Sequence, residues 1–212
     1  MSAPLLRTTA VDALADALRT RILDGDLPAG TPLREQHLAE EYGVARHTLR
    51  AALRVLAADG LVRVETHRGA RVTAFTDADL DGLAGLRIAL EVEAARIVLE
   101  RHGRLPEAVH AAQAALAAAC AADEPGFAGV TEAHEALHHA LVAASGSPRI
   151  VAAHRALGGE LRLFLSQLRP AYDLGALAEE HATLLRELET HGPDVLRPHI
   201  EASTAALRAR LA

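Results

Sequence analysis

The apolar positions in the first part of the chain repeat at helical spacing. Val11, Leu14, Ala15, Leu18 and Ile22 recur at i, i+3, i+4, i+7 and i+11. That stripe predicts an amphipathic helix, capped by Thr8 or Thr9 and stopped at Gly25. The run DGDLPAGTP, residues 24–32, is a turn by composition. A short helix over 34–41 follows, with Leu38 and Ala39 inward, and Tyr42-Gly43-Val44 marks a tight turn. A longer helix over 45–58 carries Leu49, Ala52, Leu53 and Leu56 on one face and Arg46, His47, Arg50 and Arg54 on the other. Asp59-Gly60 ends it, with Gly60 suited to the left-handed position after a helix. Two short β-branched runs, 61–64 and 70–74, flank ETHRG and predict a hairpin.

Beyond residue 75 the strand signal fades. FTDAD, residues 75–79, reads as a linker in which Thr76 caps the next helix. Six helical segments are expected, at 78–102, 106–122, 127–145, 147–169, 174–191 and 194–211. They are punctuated at Gly103, 123–126, 145–148, Pro170 and Gly192-Pro193. The pattern predicts a mainly α protein of two domains. Residues 1–75 form a winged helix-turn-helix of three helices and a hairpin, and residues 76–212 an all-α antiparallel bundle. No internal repeat is visible.

Composition narrows the picture. The 212 residues are 50% hydrophobic but only 2% aromatic, so the apolar content is mostly Ala, Leu and Val, which suits closely packed helices. One cysteine, Cys120, excludes a disulfide framework and suggests a reducing compartment, the cytoplasm. No long uncharged apolar run and no signal-peptide layout appear, so no membrane partner is expected. The net charge of −6 is unevenly spread. Residues 1–75 hold ten Arg against nine acids, and the remainder twelve Arg against nineteen.

The order helix, helix, tight turn, helix, hairpin is the winged helix-turn-helix plan. Arg46, His47 and Arg50 lie near the start of the third helix, where a recognition helix meets base edges. Arginine forks two donors onto a guanine edge or grips phosphate. Thr48 is placed to bond phosphate or touch a thymine methyl. The hairpin tip, His67-Arg68-Gly69, would lie along the minor groove or backbone. The alternative for such a face is plain solvation.

The stretch 27–72, LPAGTPLREQHLAEEYGVARHTLRAALRVLAADGLVRVETHRGARV, resembles the head of the GntR-type regulators. The resemblance rests on the Pro-x-Gly-Thr turn at 28–31, Leu33-Arg34-Glu35, Leu38-Ala39-Glu40, Gly43-Val44, Arg46 to Arg50, Asp59-Gly60-Leu61 and Arg68-Gly69. It implies that Arg34, Arg46, Thr48 and Arg50 contact double-stranded operator DNA, with His67-Arg68-Gly69 as the wing tip. A salt bridge to Glu35 or Glu41 is the other reading of Arg34. The family's usual Ser is Ala45 here, which removes one phosphate contact. His47-Thr48-Leu49 stands where Thr-Pro-Val is usual.

Nine of the twelve histidines fall after residue 75. His134 and His138, spaced i, i+4, project from one helix face; His181 and His199 lie on two later helices. Two ligands from one helix and one from each of two others is a workable metal layout in a bundle core. Solvated or core-satisfied histidines are the alternative.

This region resembles the FCD effector domain of the FadR branch of GntR-type regulators. Leu137-His138-His139-Ala140-Leu141 through Ser145-Gly146-Ser147-Pro148 carries the likeness, as do Glu180-His181-x-x-Leu-Leu, the placement of His199, and Leu86-Arg87 through Glu91 with Ala94-Ala95. Many members hold a divalent metal with one Asp and three His, and use it to bind an organic acid. Here His134 takes the place of the Asp, Ser147 replaces the usual Asn, and the segment from His181 to His199 is shorter. Pro193 and Pro198 also disturb the start of the last helix.

A site of His134, His138, His181 and His199 favours Zn or Ni over Mn or Mg, and would lose metal as pH falls through the imidazole range. Loss of the Asp can equally mean that the site has decayed. Arg87 is placed to pair with an effector carboxylate or, alternatively, with Glu91 at i, i+4. Arg162 is a second effector candidate.

The expected function is a transcription regulator, a repressor by preference, acting as a homodimer and controlled by a small organic acid. A metal sensor is the first alternative. A metal-dependent enzyme with a DNA-binding head is the second, against which no general base or nucleophile motif is found.

Overall fold

The computed structural model describes residues 9–65, 69–122, 126–168 and 173–211. The chain divides into two compact units between Ala74 and Phe75.

The first unit begins with α1 (Ala10–Leu23), which starts in a capping box. Thr9 accepts from the Asp12 amide and Asp12 reaches back to the Thr9 amide. Helices α2 (Glu35–Glu41) and α3 (Arg46–Ala58) follow, and both α1 and α2 pack on α3. The expected stripe of α3 is its buried face: Leu49, Ala52, Leu53 and Leu56 are all inside. Leu14, Leu18, Ile22 and Leu38 meet it. Gly43, in the turn between α2 and α3, and Gly60, after α3, have positive φ, as those turns require.

Strands β2 (Val62–Glu65) and β3 (Gly69–Val72) pair antiparallel, with Val62 opposite Val72 and Glu65 opposite Gly69. A third strand, β1 (Pro32–Leu33), pairs with β3 through Pro32–Arg71 and Leu33–Ala70, giving the order β1-β3-β2. The sequence reading places Pro32 in a turn and assigns Leu33 to no element. Two residues are too few to show an alternating pattern.

The second unit is all helix. α4 (Asp77–His102) opens with a capping box of Thr76 and Asp79, as the Thr76 reading expects. It is followed by α5 (Glu107–Cys120), α6 (Phe127–Ala144), α7 (Pro148–Arg155), α8 (Gly158–Leu168), α9 (Leu174–His191) and α10 (Leu196–Leu211), with a 3-10 turn at Pro193–Val195 before the last. α6 is the central element and packs on α4, α5, α7 and α8. A continuous apolar core runs through Val98, Leu105, Val109, Leu116, Val130, Leu137, Leu141, Leu184 and Leu188. None of the described helices is long and apolar enough to cross a membrane.

Two details depart from the sequence expectation. The single segment over 147–169 is two helices, broken at Ala156 and Leu157 ahead of Gly158-Gly159, where glycine weakens helix continuity. Pro198 does not disturb the last helix. It is the third residue of α10, where a backbone N–H would have no intrahelical partner to lose.

Candidate functional site

Two sets of side chains are candidates, one in each unit. In the first unit, the burial of Leu49, Leu53 and Leu56 turns the opposite face of α3 outward. Arg46, His47, Arg50 and Arg54 are exposed and Thr48 is half-buried. The helix starts at Ala45 with no side-chain cap, so its first amides carry no such partner. Arg50 Nε donates to Glu35 Oε2 at 2.7 Å, which leaves its two Nη groups to point elsewhere. Arg34 is the exposed N-cap residue of α2. The partners considered for it are engaged by others: Glu35 by Arg50, and Glu41 by Arg21 at 2.8 Å. Gly69 opens β3 with φ 82°. His67 and Arg68 lie outside the described residues.

In the second unit, α6 brings His134 and His138 to one face, and α9 brings His181 against them. One donor atom from each lies within 4.8 Å of the other two, and all three side chains are buried. Ring centroids are 4.7 Å apart for His134–His138 and for His134–His181. His199 on α10, half-buried, closes the group, with its ring 4.8 Å from that of His181 and 5.9 Å from that of His138.

The hydrogen bonds assign the ring protons. His138 Nδ1 lies 2.8 Å from Glu91 Oε2, and His181 Nδ1 lies 2.8 Å from the Leu177 carbonyl. Both partners can only accept, so each Nδ1 donates and each Nε2 keeps its lone pair. Those two Nε2 atoms face each other at 3.3 Å. Two lone pairs at that separation repel unless a proton or cation lies between them. Imidazoles oriented from behind by a carboxylate and a carbonyl are also the usual outer shell of a metal site. The donor set therefore fits a borderline divalent cation held by His134, His138 and His181, with His199 adjacent.

Glu91 is fully buried, and the sequence reading assigns it only as a partner for Arg87. Arg87 Nε donates to Glu91 Oε1 at 2.9 Å, and His154 Nε2 approaches the same oxygen at 3.5 Å. Arg87 thus makes the i, i+4 ion pair, yet its Nη2 is buried without a partner among the described residues. Arg87, His134, His181, His199, Phe164 and Ser203 are among the residues that line a cavity of about 10 Å³. That is room for one water or ion. Arg162 is turned back to the Gly158 carbonyl on its own helix, at 3.3 Å, and does not line this cavity. His154 escaped the sequence reading, as did the contact of Glu91 with His138. The available signal was a charged i, i+4 pair set among Leu83, Ile88, Ala94 and Ala95 on α4, all of which are buried.

The electrostatics follow from burial. For Glu91, burial alone would raise the carboxyl pKa, but Arg87 and His138 outweigh it and hold the group well below the usual carboxylate range. Burial, reinforced by the neighbouring histidines and Arg87, pushes His134 well below an ordinary imidazole. His138 is also lowered by burial, against the pull of Glu91. Burial and His138 bring His181 down to about 3. His199 moves in the same direction, by burial and then by His181.

Comparison with known proteins agrees with both halves. Residues 10–72 match the bacterial regulatory proteins of the gntR family, and residues 83–206 match the FCD domain. The probable D-xylose utilization operon transcriptional repressor of Paenarthrobacter nicotinovorans is 30% identical over 203 residues, covering 95% of this chain and 88% of that protein. A transcriptional regulator GntR from Rhodococcus sp. RHA1 superposes with a TM-score of 0.74 at 24% identity, over 94% of this chain and 97% of its own. E. coli McbR/YncC does so with a TM-score of 0.70 at 18% identity, over 97% and 100%. At those identities the two structures speak for the fold. The chain belongs to the GntR family of transcription regulators, with an FCD effector-binding domain behind its winged helix-turn-helix.

Two outcomes are expected. Glu91→Ala, which strands the Arg87 guanidinium in the core, should cost about 3–5 kcal/mol in urea unfolding. The double variant Glu91→Leu/Arg87→Met should cost markedly less, and equal losses would show that the ion pair is not what matters there. The second concerns pH. Histidines whose folded pKa lies below the ordinary 6.5 refuse protons that the unfolded chain accepts. Their stabilising contribution is whole above pH 6.5 and is lost as pH falls toward about 3. The urea midpoint of chelator-treated protein should be flat from pH 8 to 7 and then drop, with each refused proton contributing about 1.4 kcal/mol per pH unit. A flat profile down to pH 5 would mean that the pocket histidines are solvated.

Proposed function

We propose that this regulator is a homodimeric, cytoplasmic repressor whose grip on operator DNA is set by a small organic acid bound at a metal ion in the FCD domain. The observation that carries the reading is the pair of Nε2 lone pairs, on His138 and His181, facing each other at 3.3 Å. In this reading His134, His138 and His181 hold the ion with His199 beside it, and Zn or Ni suits the all-imidazole donor set. A bound ion would supply a Lewis-acidic anchor for a carboxylate. Arg87 Nη2, buried and unpartnered at the same cavity, donates to the second oxygen of that carboxylate. Glu91 holds His138 and Arg87 in place from behind. The relative named for D-xylose utilization directs the effector search to sugars and the acids derived from them. The match to a family of transcription regulators supports reading the chain as non-catalytic.

A second reading is favoured by the cavity size. About 10 Å³ takes an ion and leaves no room for an organic acid, which fits a sensor whose effector is the metal itself. Binding to DNA with and without added Zn²⁺, in the absence of any organic acid, separates the two readings.

On the DNA side, Arg46 and Arg50 read base edges, and Thr48, Arg34 and His47 contact the backbone. Arg46→Ala and Arg50→Ala should each weaken binding to a duplex selected from a random-sequence library by about 1–3 kcal/mol and relax the preference at one position. Equal weakening on random duplex would overturn base reading. For the pocket, elemental analysis of purified protein should find a metal ion that His138→Ala loses while helix content stays unchanged. Metal content indifferent to His138→Ala would remove the site.

A further inference from the structure

α6 carries a second pair of donors one residue on from the first. Glu135 and His139 are four apart, as His134 and His138 are, and sit about 100° further round the helix. They do not join the His181 group. They meet α7, which supplies His154, a histidine with no exposed surface. One donor atom from each of Glu135, His139 and His154 lies within 4.8 Å of the other two, and the two imidazole centroids are 5.8 Å apart. His139 Nδ1 and both ring nitrogens of His154 are buried without a hydrogen-bond partner among the described residues. A neutral imidazole must carry a proton on one nitrogen, so His154 leaves a donor and an acceptor unmet, a costly arrangement for a structural residue. The break between α7 and α8 makes room for the third member. A Cβ on Gly158 would come within 3.1 Å of the Glu135 carboxylate.

We propose that Glu135, His139 and His154 form a second divalent-cation site, distinct from the one built on His134, His138 and His181. One carboxylate and two imidazoles, with positions left open, suit Zn²⁺, Ni²⁺ or Co²⁺. Ligation draws the donors inward by on the order of 1 Å, since bonds of about 2.1 Å require closer spacing. Glu135 and His139 are half-buried, so their side chains can turn and an ion can reach them from solvent. Glu91 backs both sites. Its Oε2 accepts from His138 Nδ1, and its Oε1 faces His154 Nε2 at 3.5 Å. A cation on His154 Nδ1 leaves Nε2–H to donate to Glu91, the same carboxylate–imidazole relay that His138 makes. Glu135 supplies the negative charge that the first site lacks. Arg155, next in sequence to His154, carries the opposing charge.

The test is a titration of the chelator-stripped, full-length protein with Zn²⁺, followed by calorimetry and repeated with Co²⁺, whose visible spectrum reports imidazole ligation. Wild type should take two equivalents per chain. Glu135→Gln and His139→Ala should each lose one of them, with affinity for it at least tenfold weaker, and keep the other. His138→Ala/His181→Ala should lose the opposite one. Gly158→Ala, which crowds the carboxylate, should weaken only the second site. Both Glu135 and His139 are half-exposed, and Glu135→Gln preserves shape, so unchanged helix content is expected. A single equivalent lost only in the His138/His181 variant overturns the second site and leaves the first. A single equivalent lost only with His139→Ala overturns the first and leaves the second. Two equivalents that survive both Glu135→Gln and His139→Ala overturn the proposal.

Discussion

Taking a carboxylate out of water carries a penalty of several kcal/mol, and Glu91 pays it in full, with no exposed surface. Arg87 and His138 offset the charge from α4 and α6, His154 of α7 faces it at 3.5 Å, and His138 extends the contact to His181 on α9. Three helices of the bundle therefore meet at one ionised group, and a fourth is linked to it through His138. Apolar contacts between Ala and Leu side chains supply most of the packing, but they tolerate sliding. Directional bonds to a buried charge do not, and they set which face of α6 looks at which neighbour. The tautomer of His138 descends from that arrangement, that of His181 from the Leu177 carbonyl, and together they set the lone pairs at 3.3 Å, while burial depresses the imidazole pKa values against the pull of Glu91.

The parts of the structure legible in the sequence are those governed by local rules. The stripe of α3, the cap at Thr76 and the turn at Gly60 each depend on neighbours a few residues away, and each stands as expected. The pairing of His134 with His138 is local too. Its meeting with His181 was legible only through likeness to a family. Three features were out of reach for physical reasons. Strand β1 is held by partners far along the chain. His154, in a segment flanked by Arg149 and Arg155, has the look of a surface residue, and packing of α7 against α6 and α4 buries it. Glu91 forms the expected i, i+4 pair with Arg87, but spacing says nothing about burial, and burial turns a surface salt bridge into the centre of a site.

The two ends of this regulator solve opposite electrostatic problems. α3 exposes arginines to solvent, where a polyanion can be met with little desolvation of the protein. The histidine pocket does the reverse, gathering neutral bases in the core beside the buried Arg87. That contrast suits a protein that must hold DNA loosely enough to be released and hold a small ligand firmly enough to sense it.

The wall of the histidine cavity includes Phe164, and its ring meets that of Phe75 edge-on, with centroids 6.4 Å apart. Phe75 immediately precedes Thr76, the cap of the helix that carries Arg87 and Glu91. Anything larger than a water molecule must displace part of that wall to enter. A ligand that displaced Phe164 would press through the aromatic contact on the residue before the cap of α4, so its volume would be felt at the first turn of the sensor domain.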